Sequence, residues 1–172
     1  TARAARKASE SMTAPRPAVI VPFYSAEFLL GFDPDTGETW PEWEPIAMLR
    51  HLACRGYVAA CADAYSKTYL KGEKNPLDFA SWRAAATALR QKNPRWSGMG
   101  KLILDARLLI DAVAADPRVD ASRIGIAGHS LGGKMAFYAG CLDERIRVIL
   151  ASDFGMGWEQ TNWRDIWYWG ER

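Results

Sequence analysis

The residues with the clearest chemical signature are Gly128-His129-Ser130-Leu131-Gly132. They follow an apolar run, Arg123–Ala127, and lead into Leu131–Leu142, whose composition suits a helix. A serine framed by glycines between a strand and a helix suits nucleophilic attack. The turn is strained, so its neighbours must be small, and the hydroxyl is lifted clear of the sheet edge. The Leu131 N–H then lies at a helix N-terminus, where unpaired donors and the helix dipole stabilise a developing oxyanion. A second donor is expected from the loop after an earlier strand, with Tyr24 or Ser25 as the candidate. His129 is expected to shape the pocket or the donor loop rather than act as a base, because consecutive side chains at such a turn point apart.

Other chemistries compete for some of these residues. Gly128–Lys134 satisfies G-x-x-x-x-G-K, and the acid-tipped run ending at Asp153 imitates the second half of a nucleotide site. The next residue is Met135, however, where a hydroxyl should hold Mg²⁺, so the phosphate-loop reading lacks its metal clamp. Asp33 and Asp35 invite a calcium reading, but the glycine and further ligands of such a loop are out of register, and a solvated loop is expected. Cys54, Cys61 and Cys141 form no CxxC pair. Their apolar neighbours suggest reduced thiols in the core.

The elements that must position Ser130 follow from periodicity. Ala18–Tyr24, Tyr57–Ala62, Arg123–Ala127 and Arg147–Ala151 are short apolar runs that read as buried strands. Between them, helical spacing is expected from Ile46 to Gly56, over about 77–91, over 102–114 and over 131–142. The stretch 31–45, rich in Gly, Pro and acid, reads as a loop. Strands alternating with helices predict an α/β fold, a mostly parallel sheet with helices on both faces. In such sheets ligands bind beyond the carboxyl ends of the strands, here Tyr24-Ser25, Asp63, Gly128–Ser130 and Asp153. Trp163, Ile166, Trp167 and Gly170 fall at helical spacing and suggest a core stripe, with an aromatic wall beside the pocket as the alternative.

Composition bounds the partners. The 172 residues carry 22 Lys+Arg against 20 Asp+Glu, a net charge of +2, with 49% hydrophobic residues. This is an ordinary globular balance, with no electrostatic case for nucleic acid or an anionic membrane. No apolar stretch nears the ~20 residues of a spanning helix. The expected division is a small, polar and basic arm over 1–16 and one partial domain over 17–172. The arm has no apolar core of a signal peptide, which with the unpaired cysteines favours a cytoplasmic location.

Residues 118–170, above all GHSLGGKMAFYAGCLDERI, resemble the core of the α/β-hydrolase superfamily, and the strand APRPAVIVPFY agrees with it. More narrowly, they are similar to its dienelactone hydrolase and acetyl xylan esterase-like branch. The resemblance implies a serine esterase that cleaves a small-molecule ester through an acyl-enzyme, with no metal or organic cofactor. It carries Ser130 over as nucleophile, the Leu131 N–H as one oxyanion donor and Tyr24 or Ser25 as the other. Asp153, at a strand end after Ser130, is a candidate triad acid. In this superfamily the chain order is serine, acid, histidine. The only histidines are His51 and His129, and neither follows Ser130. The sequence is therefore expected to be an incomplete α/β-hydrolase fold lacking its C-terminal βα units and the triad histidine. A non-catalytic module of the same fold is the alternative.

Overall fold

Strand β1 (Arg16–Ile20) runs through the middle of the sheet because its side chains are apolar toward both faces. In the computed structural model, which describes residues 14–33, 35–69, 79–157, 159 and 162–170, it is joined by β2 (Val58–Ala60), β3 (Val119–His129) and β4 (Ile146–Ser152). The order is β2-β1-β3-β4 and every pairing is parallel. Ala18 and Ile20 lie beside Ile124 and Ile126 in register, so these four residues share one face. They pack there against helices α5 (Gly98–Ala114) and α6 (Leu131–Cys141), through Ala106, Ile110, Ala136 and Ala139. Val19 and Val21 point the other way, onto α1 (Ala26–Leu30) and α2 (Met48–Cys54), where Leu29 and Leu49 are buried.

This order sends the chain outward from β1 in one direction to β2 and in the other to β3 and β4. The winding thus reverses between β1 and β3, and in sheets of this kind ligands bind beyond the carboxyl ends of the strands at such a point. Ser130 follows β3 directly and Tyr24 lies four residues past β1.

Several expected boundaries shift for physical reasons. The helix expected from Ile46 starts at Met48, because Pro41–Ile46 forms a 3-10 turn with a proline inside it and Ala47 leaves helical geometry at φ −68, ψ 53. Helices α1 and α3 (Tyr65–Tyr69) have five residues each, too short to declare a 3.6-residue period. Helix α4 (Phe79–Lys92) is described from Phe79 onward and ends one residue past its expected end, while the expected first two residues, 77 and 78, lie outside the described residues. Helix α5 begins at Gly98, capped by Ser97, whose Oγ accepts the Gly100 N–H at 3.0 Å. Arg16, assigned by its sequence to the arm, pairs with Val119. Residues 1–13 of that arm lie outside the described residues.

The expectation of buried cysteines is corrected. Cys54 and Cys141 are exposed, each closing its helix where the apolar stripe has run out, and Cys61 is partly buried. All three are free thiols. The aromatic stripe is core, as expected: Trp163, Trp167 and Tyr168 are buried around the short helix α7 (Ile166–Trp169). The Tyr65 hydroxyl donates to the Trp167 carbonyl at 3.0 Å, and Gly98 leaves room for that carbonyl, since a Cβ there would stand 1.7 Å from it.

On the α1–α2 side of the sheet, no described helix covers β3 and β4. Val148 and Leu150 remain 64% and 60% exposed, unlike residues of a strand covered on both faces. With Val19, Gly125 and Ala127 they line an open cleft of about 580 Å³. No described helix is long and apolar enough to cross a membrane.

Candidate active site

Ser130 occupies φ 55, ψ −117, a region that favours glycine. Its backbone is held on both sides. The Ser130 N–H donates to the Ser152 carbonyl at 2.9 Å, and the Ser130 carbonyl accepts the Lys134 N–H at 3.1 Å to start α6. The framing glycines are required by close approach. A Cβ on Gly128 would stand 2.1 Å from the Gly132 carbonyl oxygen, and one on Gly132 would stand 2.2 Å from that of Pro22. Serine at a helix N-cap ordinarily bends its hydroxyl back onto an N–H of the first turn. Ser130 makes no such side-chain bond to α6, so its hydroxyl is not consumed by capping.

The contact between Gly132 and Pro22 brings the exit of β1 against the first turn of α6. Tyr24 follows on that segment, its ring edge-on to Phe23 and Trp82 at centroid distances of 5.0 and 5.2 Å. Burial pushes its phenol above the usual tyrosine range, so it stays protonated. The Tyr24 carbonyl accepts the Ala64 N–H at 3.3 Å, and the next N–H but one, of Ala26, donates to Asp63 Oδ1 at 3.0 Å. Ser25, the other donor candidate, is fully buried and gives its hydroxyl to Glu27 Oε2 at 3.2 Å. Periodicity reveals nothing of the part played by Asp63. Its position at the end of β2 was the available signal.

The remaining candidates separate. Asp153, just past β4, is exposed and has φ 49, a conformation aspartate tolerates better than most residues. It neighbours the elbow through the Ser130–Ser152 bond. His129 is exposed, with Nδ1 3.4 Å from Ser152 Oγ. His51 lies in α2, where Nε2 meets the Glu44 carbonyl at 2.9 Å. That helix runs back to the amino-terminal edge of the sheet, the end opposite Ser130. Asp33 accepts the Asp35 and Thr36 N–H groups at 2.8 and 3.0 Å, bonds that hold its carboxyl below the usual range. It thus organises a turn. Among the described residues no group of His, Cys, Asp and Glu is placed to hold a metal ion.

Lys134 answers the phosphate-loop reading. Its side chain is 3% exposed, with Nζ 4.9 Å above the Trp163 ring, 5.3 Å from that of Tyr168 and donating to Asn162 Oδ1 at 3.2 Å. Desolvation lowers its pKa, opposed by the nearby charges of Asp165 and Asp153. A phosphate-gripping lysine must reach into the loop, whereas this one fastens the 162–168 segment to α6 as a cation over aromatic faces. Beneath the elbow, Leu131 and Met135 join Trp82, Tyr65, Trp163 and Tyr168 in one aromatic core.

A family model described as the dienelactone hydrolase family matches residues 42–151. This chain belongs to that family. The match runs from the 3-10 turn through the elbow and nearly to the end of β4. No curated protein matches the sequence. A solved structure of a candidate acetyl xylan esterase from Bacteroides fragilis NCTC 9343 superposes with a TM-score of 0.59 at 19% identity, over 78% of this chain and 36% of its own. A ferulic acid esterase from Streptomyces cinnamoneus is 25% identical, with a TM-score of 0.48, over 80% and 36% respectively. A glucuronoyl esterase from Solibacter usitatus gives a TM-score of 0.48 at 17% identity, over 78% and 38%. The dienelactone hydrolase-family chain therefore has the α/β-hydrolase fold and spans a little over a third of the length of the structures it matches. The bare face of β3 and β4 accords with a partial fold.

Proposed function

We propose that this dienelactone hydrolase-family chain carries the nucleophile and oxyanion hole of a serine esterase acting on a small-molecule ester, with Ser130 as the attacking residue. The observation that carries the reading is the Ser130 backbone, held at positive φ at the start of α6 with its hydroxyl free of capping. Strain of this kind concentrates where function requires it. In the proposed reaction Ser130 Oγ attacks the ester carbonyl carbon while its proton passes to a histidine. The carbonyl oxygen takes the negative charge and receives hydrogen bonds from the Leu131 and Tyr24 N–H groups. The C–O bond then breaks, the leaving alcohol takes the proton, and water releases the acid from the acyl-enzyme by the same route. Asp153 is the proposed acid that orients the histidine, and His129 lines the pocket.

Neither histidine in this chain suits the part of base. His51 belongs to the opposite edge of the sheet, and His129 precedes Ser130 at a turn where adjacent side chains diverge. The base is therefore proposed to come from outside this sequence. That same observation favours the second reading, a non-catalytic module of the same fold. A fluorophosphonate probe on the full-length protein containing this chain separates the two. Labelling at Ser130 that vanishes in Ser130→Ala supports the esterase, and a folded protein that takes no label at Ser130 overturns it.

A further inference from the structure

We infer that Asp63 is a positioning residue for the oxyanion hole, holding the loop that presents the Tyr24 N–H; this rests on the esterase reading above. The loop leaving β1 must turn sharply into α1, which has only five residues and little helical cooperativity of its own. Ser25 stands at its N-cap with extended geometry, φ −146 and ψ 138, yet makes no capping bond. The cap comes from another strand end: Asp63 Oδ1 accepts the Ala26 N–H at 3.0 Å. One residue on, the Ala64 N–H donates to the Tyr24 carbonyl at 3.3 Å. Residues 63 and 64 thus grip the loop on either side of Ser25.

The carboxylate is itself steered. Lys67 Nζ, from α3, lies 3.4 Å from Asp63 Oδ1 and 3.3 Å from Glu27 Oε1, so one cation ties the end of β2 to α1. Ser25 Oγ completes the circuit by donating to Glu27 Oε2 at 3.2 Å. The charged side chains are only partly covered: Lys67 is 27%, Asp63 44% and Glu27 47% exposed. Ion pairs this open to water contribute little to holding a fold together. Their effect here is directional. The opposite side of the same loop is fixed by the contact of Pro22 with Gly132, where no atom can be inserted. Between that contact and the Asp63 clamp, Tyr24 has little freedom to move away from the elbow.

The test is the rate of Ser130 phosphonylation by a fluorophosphonate, with kcat and KM for p-nitrophenyl acetate, in the full-length protein. Loss of one oxyanion donor costs about 10²–10³-fold, so a loosened one in Asp63→Ala should cost about 10–100-fold in kcat and labelling rate. KM should barely change, and the melting temperature should fall only as far as one lost helix cap requires. Asp63→Asn keeps an acceptor for the Ala26 N–H and should recover most of the rate. A purely structural cap would lower the melting temperature to the same extent and leave the kinetics of the folded fraction untouched. Equal rates for Asp63→Ala and the parent, or no recovery in Asp63→Asn, overturn this inference alone. A parent that does not react at Ser130 overturns the esterase reading and this inference together.

Discussion

Replacing Ser130 by glycine should make this protein more stable than replacing it by alanine. At an ordinary helix position the reverse holds, with glycine less stable than alanine by about 0.5–1 kcal/mol because its unfolded chain has more freedom to lose. Ser130 sits at φ 55, ψ −117, where a residue with a Cβ costs about 1–3 kcal/mol and glycine is at ease. Subtracting glycine's entropic penalty leaves a net advantage of about 1 kcal/mol, with about 2 as the upper end. Losing the hydroxyl is common to both variants and cancels. So does the absent capping bond, since Ser130 makes none to α6. Equilibrium urea unfolding of the two variants reads the difference directly as a shift in midpoint at constant slope. Both should lose all probe labelling at Ser130, so stability and reactivity part company at one residue, as expected when strain is kept for function. If Ser130→Ala equals or exceeds Ser130→Gly in stability, the turn is not strained in solution and the main support for Ser130 as nucleophile falls.

Gly132→Ala would place a Cβ 2.2 Å from the Pro22 carbonyl, forcing β1's exit and α6 apart. A loss of about 1–3 kcal/mol in unfolding free energy and a roughly 100-fold slower labelling rate are expected together, and a neutral outcome in both would refute the contact. Tyr65→Phe leaves the buried Trp167 carbonyl without its 3.0 Å donor, which should cost about 1–2 kcal/mol in denaturant unfolding. The Cys61 thiol is pushed up to about 12, first by burial and then by the charge of Asp63, so at pH 8 it stays protonated and unreactive. Iodoacetamide followed by peptide mass mapping should therefore find Cys54 and Cys141 modified and Cys61 intact until the protein is unfolded.

Much of the architecture is legible in the sequence. The four strands and the longer helices lie within a few residues of where the sequence pattern puts them, because short apolar runs and 3.6-residue spacing are local properties of the chain. The failures have physical causes. Helices α1 and α3 bury Leu29 and Tyr65 but have only five residues each, too few for their sequences to show a 3.6-residue period. Cysteine burial misleads because an apolar neighbourhood in sequence does not say which side of a helix end faces water. The core reading of Trp163 and Trp167 survives because side chains of that size, gathered at helical spacing, have few other places to go.

By itself the sequence determined that Ser130 stands between glycines at a strand–helix junction in a parallel α/β sheet, since both facts depend on residues close together in the chain. Only the tertiary structure decided what surrounds that serine. Strand order brings Pro22 against Gly132 and Asp63 against Ala26, pairs separated by 110 and 37 positions in the chain. It also drew the Lys134 side chain out of the loop and over the face of Trp163, turning a phosphate-binding signature into a clasp on the aromatic core. No local rule reports such meetings. They follow from the register of β1 against β2 on one side and β3 on the other, and from the volumes that must fill the space beneath them.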